Sequence, residues 1–237
     1  MQQKTIVAIL AILIYAVFLC IGWTEGTFKY YWPDAAFFTA FILFLYFTFN
    51  FWRLNIPVYA SLVLALCLHM CGVFGWYSNS PLFIQWDHVT HFFPLFAFTM
   101  FLYNFARPWM AKRFWTVKTW SVIMFLLLAG FGIGAIIENI EFAGFLSLGY
   151  GEVGLWFGGA GGGDAEAVTD AQAKAIIEQG GGYLNTELDL AYNAFGTIAA
   201  VILMSLVYFL IKKKEPSGTA QSSPQEPYPL DSSWLLR

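Results

Sequence analysis

Asp87 and His91 stand four residues apart in Trp86-Asp87-His88-Val89-Thr90-His91-Phe92-Phe93, at the head of a long apolar run. On a helix that spacing puts both side chains on one face. Two other apolar runs carry similar pairs. Glu138 and Glu141 lie at i, i+3, and Asp189 and Asn193 lie at i, i+4. A charged side chain inside a membrane segment costs about 3 kcal/mol or more unless it is paired or faces water or the bundle interior. Two carboxylates on adjacent turns also repel unless a cation or a shared proton sits between them. Three segments with such pairs point to one shared site.

The residue types fit two chemistries. Asp87 and His91 match a metal-ligand pair, or a histidine base oriented by a carboxylate. With Glu138, Asp189 and His69 they supply the mixed nitrogen and oxygen donors of a divalent metal such as zinc, the candidate cofactor. Neither HExxH nor CxxC occurs. Without a metal, a buried carboxylate beside histidine acts as general acid. The candidate catalytic residues are Asp87, His91, Glu138, Glu141 and Asp189, and the candidate metal ligands are His91, Glu138, Asp189 and His69. Asn193 is the candidate substrate contact, and Asn139, between Glu138 and Glu141, is expected to support their network. Simpler roles exist for each. Asp87 complements a helix dipole, Asp189 lies one turn inside a helix capped by Asn185 or Thr186, and His69 is a hydrogen-bonded core histidine. His88 is expected at the rim.

The elements that must position these residues follow from composition. Of 237 residues, 59% are hydrophobic and only 11% charged, against about a quarter charged in a soluble domain. The apolar runs are long and continuous, so a multi-spanning helical protein is expected and an outer-membrane barrel is not. Nothing suggests nucleic-acid binding. The three cysteines, Cys20, Cys67 and Cys71, lie inside apolar runs and read as packing residues.

Six spans are expected: Thr5–Trp23, retained and not cleaved as a signal peptide, then Ala35–Trp52, Ile56–Tyr77, Trp86–Ala106, Thr119–Phe142 and Thr186–Ile211. They form a membrane bundle over residues 1–214, followed by a disordered cytoplasmic tail over 215–237, rich in Pro, Ser and Gln. Tyr30, Tyr31 and Trp32 suit an interfacial connection. Gly130, Gly132, Gly134 and Ala135 allow close helix approach. Lys4, Arg53, Arg107, Lys112, Arg113, Lys118 and Lys212–Lys214 fall on one side of a six-span chain, which places both termini in the cytoplasm. The three polar pairs then arrive at one depth near the outer face. The long outer loop, Ala143–Leu184, carries glycine runs at 158–163 and 180–182 around a helix-forming stretch, Asp164–Gln179, a flap arrangement.

Asp87-x-x-x-His91, Glu138-x-x-Glu141 and Asp189-x-x-x-Asn193-x-x-Gly196, with His69-Met70-x-Gly72 before them, resemble the VanZ-like membrane protein superfamily. The match is closest to its YjdF-type uncharacterised bacterial inner-membrane proteins and spans roughly His69 to Gly196. Two positions depart from the pattern: Glu141 stands where Gln is usual, and no Arg precedes Asp189. The resemblance implies a bacterial inner-membrane location and cell-envelope chemistry, and carries Asp87, His91, Glu138, Glu141, Asp189, Asn193 and His69 as site residues. The function expected is a hydrolase or transferase acting on a lipid or lipid-linked envelope substrate. Its competitors are a proton- or ion-coupled transporter or channel, and a membrane assembly subunit whose polar pairs only lock helices together.

Overall fold

The computed structural model describes residues 2–77, 79–111, 114–148 and 181–213, with side chains placed for all of these except 29–30, 141–148, 181–185 and 211–213. These residues form six α-helices: α1 (Gln2–Glu25), α2 (Phe28–Phe47), α3 (Ile56–Cys71), α4 (Trp86–Ala106), α5 (Val117–Leu148) and α6 (Gly181–Lys213). A π-helical turn, Gly72–Trp76, continues α3, and a 3-10 turn, Arg107–Trp109, follows α4. The described residues are otherwise turns and bends, without strands. The glycine-rich stretch 149–180, including Asp164–Gln179, and the tail from 215 lie outside the described residues.

Among the described residues, five helical stretches are long and apolar enough to cross a membrane: Gln2–Glu25, Ile56–Trp76, Trp86–Trp109, Val117–Ile140 and Thr186–Leu210. The apolar part of α2, Tyr31–Phe47, is shorter. This helix also differs from its expected bounds. It begins at Phe28 and takes in Tyr30, Tyr31 and Trp32, with Pro33 inside its second turn. α5 runs on to Leu148 and α6 starts at Gly181, both well beyond the expected ends.

Side-chain contacts fix the direction of each helix. Lys4 Nζ donates to Tyr46 O at 3.0 Å, and Trp23 meets Phe28 edge-on at 5.4 Å, so α2 runs back along α1. Tyr15 meets Cys67 and Phe18 meets Phe74, so α3 runs parallel to α1. At one end of the α3–α4 pair, Trp86 Nε1 donates to Leu68 O at 3.0 Å. At the other, Asn55 Nδ2 donates to Asn104 Oδ1 at 3.0 Å, while Asn104 Nδ2 donates to Arg53 O. These two helices are antiparallel. Asn55 also caps α3 by accepting from Val58 N, with Pro57 in the first turn.

α4 and α6 are parallel and in register. His88 pairs with Asp189, and Tyr103 with Ser205, at sequence separations of 101 and 102. Small residues set how close the helices come. A Cβ on Gly196 would collide with the carbonyl of Phe92, so the two backbones touch there. α5 runs antiparallel behind them, with Gly134 against Asn193 and Gly130 against Thr197. That is the close helix approach small residues permit.

Two apolar cores result. The larger holds Ala8, Ala11, Tyr15, Phe38, Ile42, Tyr59 and Met70 between α1, α2 and α3. The smaller holds Tyr103, Met110, Ile123, Leu126 and Val201 at the end of α4–α6 opposite His88.

Candidate functional site

The parallel register of α4 and α6 brings the first turns of both helices to one end of the bundle, and antiparallel α5 returns its later turns there. Trp86, anchored on the Leu68 carbonyl, fixes where α4 begins. Asp87 then stands in the first turn, and Thr90 Oγ1 donates to its carbonyl at 2.8 Å. The next residues face inward: His88, Thr90 and His91 are all buried, as are Glu138 on α5 and Asp189 and Asn193 on α6.

His91 is the hub. Its Nδ1 lies 3.3 Å from Glu138 Oε1. Its Nε2 faces two further carboxylates, 3.5 Å from Asp87 Oδ1 and 3.9 Å from Asp189 Oδ1. Glu138 is held in turn by Asn193, whose Nδ2 donates to the same Oε1 at 3.1 Å. Asp189 accepts from His88 Nδ1 at 3.2 Å, and the His88 ring stacks flat on Tyr192, centroids 4.4 Å apart and planes 9° apart. Asp189 is fully buried, while the Asp87 side chain keeps 23% exposure.

One ligand atom each from Asp87, His91 and Asp189 lies within 4.8 Å of the others, close enough for a single cation. The donors suit a divalent metal of mixed nitrogen and oxygen preference. The far side of His91 has the partner that a metal-bound imidazole usually has, a carboxylate at its second nitrogen. Charge points the same way. Two buried carboxylates, Glu138 and Asp189, and the partly exposed Asp87 lie together with two imidazoles, and buried acids need a cation or protons to offset them.

The other sequence-derived candidates sit differently. Glu138 lies beside the three-ligand group, not in it. Backbone places Glu141 one turn beyond Glu138 on α5, and its side chain is outside the described residues. Asn139 does not join the network: its Nδ2 donates back to Ala135 O at 2.6 Å. His69, half-buried at the end of α3, also stays outside the three-ligand group. The reason is local. The turn at Gly75, with φ of +124°, folds the chain so that the Tyr77 ring covers Gly72 and its hydroxyl meets His69 Nδ1 at 2.9 Å. His69 Nε2 is buried without a hydrogen-bond partner, and Phe38 meets the ring edge-on.

His88 is the correction. Expected at the rim, it is 7% exposed and grips Asp189. The signal was present, because His88 and His91 are three residues apart and i, i+3 neighbours also share a helix face.

The fold and the cluster together define an all-helical integral membrane protein with a buried histidine–carboxylate centre at one end. Residues 6–209, most of the chain, match a family described as predicted membrane protein, DUF2238, and the chain belongs to it. No curated protein and no solved structure matches the chain.

Proposed function

We propose that this chain is an enzyme of the bacterial inner membrane that hydrolyses or transfers a lipid or lipid-linked envelope substrate, using a divalent metal held by Asp87, His91 and Asp189. The observation that carries this reading is the geometry of His91: one nitrogen faces two carboxylates, and the other faces a third carboxylate that Asn193 holds in place. A structural helix lock would need one such contact. Three carboxylates converging on one imidazole fit a ligand better.

In this reading all six helices cross the bilayer. The parallel run of α1 and α3 supports it, since antiparallel α2 must then bring the chain back. The basic residues Lys4, Arg53 and Arg107 support cytoplasmic termini, which puts the cluster at the outer face. The order of motifs from His69 to Gly196 supports a place among VanZ-like proteins. A bound metal would supply Lewis-acid chemistry and a water of lowered pKa. The chain's own residues do the rest. Glu138 fixes the His91 tautomer by accepting a hydrogen bond from Nδ1–H, leaving Nε2 to bind. His88 holds Asp189, and Asp87 lies where a substrate head group enters. Glu141, one turn further out, is the second carboxylate for proton transfer.

Elemental analysis of detergent-purified protein, prepared without chelators, tests the reading. Wild type should carry near-stoichiometric metal, and His91→Ala and Asp189→Asn should carry none while remaining monodisperse. A metal-free wild type would sink the metal centre. Full turnover of a lipid-linked substrate by His91→Ala would sink the enzyme.

A further inference from the structure

The end of the bundle opposite the cluster carries a different chemistry. Arg107, Lys112, Arg113 and Lys118 follow closely on one another, and no Asp or Glu occurs between Asp87 and Glu138. Trp109, Trp115 and Trp120 are interleaved with these cations. The backbone of this connection is pinned. Ala111 N donates to Thr119 Oγ1 at 3.1 Å, Thr119 N donates to Thr116 Oγ1 at 3.3 Å, and Met110 is buried in the smaller core. The aromatic and apolar side chains beside it are left outside: Trp115 is 76% exposed and Phe125 72%. The Trp115 and Trp120 rings lie 5.6 Å apart, tilted by 32°.

From Trp115 an open groove of about 580 Å³ runs along α5 past Trp120 and Met124 to Leu128. Val117, Ser121, Met124 and Leu128 recur at helical spacing and share one face. Between Val117 and Leu128 the helix rises about 16 Å, half of a ~30 Å hydrocarbon core and so the depth of one leaflet. Lys118 stands where this face begins, with Ser121 and Phe125 one and two turns further on. It is exposed, and no carboxylate among the described residues pairs with it. Lys4, at the same end of the first half, is different. Its ammonium donates to Tyr46 O at 3.0 Å and sits over the Tyr46 and Phe49 rings at 4.3 and 5.1 Å. The protein uses the charge of Lys4 internally and leaves that of Lys118 facing the groove mouth.

We propose that this groove binds one anionic phospholipid, its phosphate at Lys118 and an acyl chain along Met124, Phe125 and Leu128. Three features meet there. The cation has no acid beside it to compete with a phosphate, the tryptophans suit head-group depth, and the groove has the length of one leaflet. A second copy of this chain fits the face less well. A twofold axis along the bilayer normal would set Lys118 against Lys118 at the same depth. The inference requires that α5 crosses a membrane, and it is independent of the metal and of any turnover.

Native mass spectrometry of the full chain in detergent, titrated with phosphatidylglycerol or phosphatidylcholine, tests it. Wild type should retain one phosphatidylglycerol several-fold more tightly than phosphatidylcholine. Lys118→Gln should lower phosphatidylglycerol affinity about fivefold, the equivalent of the ~1 kcal/mol that one basic residue contributes beside an anionic lipid. Its phosphatidylcholine binding should not change. Ser121→Trp, which fills the groove and keeps the charge, should weaken both lipids. Both positions are exposed, so the fold tolerates the changes. Lys4→Gln, which removes an equal charge elsewhere at that end, should bind as wild type. Wild type without a preference between the lipids would overturn the proposal. So would wild-type phosphatidylglycerol binding by Lys118→Gln and Ser121→Trp, or a loss in Lys4→Gln equal to that in Lys118→Gln. Displacement of the lipid by inorganic phosphate would reduce the site to a bare anion site, and a lipid-free dimer would give the face to a second copy; either result overturns it.

Discussion

The two halves of this molecule share a layout and differ in what lines it. In each, two parallel helices, α1 with α3 and α4 with α6, have a third helix running the other way. In the first half the seam is closed by Ala8, Ala11, Tyr15, Phe38 and Tyr59. In the second the same arrangement is lined by His88, His91, Asp189, Asn193, Thr197 and Glu138. Helix association in a membrane gains little from burying apolar surface away from lipid, and depends on close packing and interhelical polar contacts. The first half uses shape. The second uses small residues to bring backbones together and places the polar groups within reach of one another. The difference teaches that the cluster is not a by-product of how this bundle is held, because the neighbouring half is held without one.

The largest effect expected is at Gly196. Gly196→Ala puts a methyl against the Phe92 backbone, which cannot swing aside as a side chain would. It should destabilise by about 3 kcal/mol, at the upper end of overpacking costs, and remove the proposed metal binding with it. Thermal unfolding in detergent with elemental analysis of the same sample reads both. An unchanged melting temperature would mean that the α4–α6 seam is looser than the first half.

Glu138→Gln and Asn193→Ala come next. Each removes support for His91 without removing one of the three proposed ligands, and should lower the proposed metal affinity by roughly 10–100-fold, read by competition with a chelating dye. Loss as complete as in His91→Ala would move Glu138 into the ligand set. His88→Gln should weaken affinity less, through Asp189 and the Tyr192 stack, and Tyr192→Leu should reproduce part of that loss.

The smallest change sharpens the comparison from the other side. Asp34 on α2 is buried in the apolar half, with neither carboxylate oxygen hydrogen-bonded. Asp34→Leu should stabilise the protein by about 1 kcal/mol, the lower end of the cost of an unpaired buried polar group. Metal content should stay unchanged. A destabilised or metal-free variant would show that the first half has a polar task of its own.

How much of this was legible in the sequence depended on range. Hydropathy gave the long apolar helices, and α4 begins and ends where composition placed it. The spacing of Asp87, His91, Glu138, Asp189 and Asn193 gave shared helix faces. Three things were not legible. α2 starts early because Tyr30, Tyr31 and Trp32 are as acceptable in a helix as at an interface, and Pro33 near a helix start breaks little. His69 is tied to Tyr77 through a backbone turn at Gly75, which no side-chain pattern announces. The pairing of α4 with α6 depends on Gly196 meeting Phe92, roughly a hundred residues away, a relation that periodicity within one helix cannot contain.

That last pairing has a consequence for how the protein is made. The first half is complete once α3 and its turn, ending at Trp76, have been synthesised, whereas α6 begins at Gly181. At about 5–20 residues per second, roughly 5–20 s pass between the two. During that interval Asp87, His91 and Glu138 are already in membrane-bound helices without Asp189 and Asn193. The nascent chain must therefore keep α4 and α5 beside the insertion machinery, or at the water interface, until its last helix arrives. Ribosome-stalled chains ending before Gly181 should crosslink to that machinery through α4, and chains extended past Tyr208 should not.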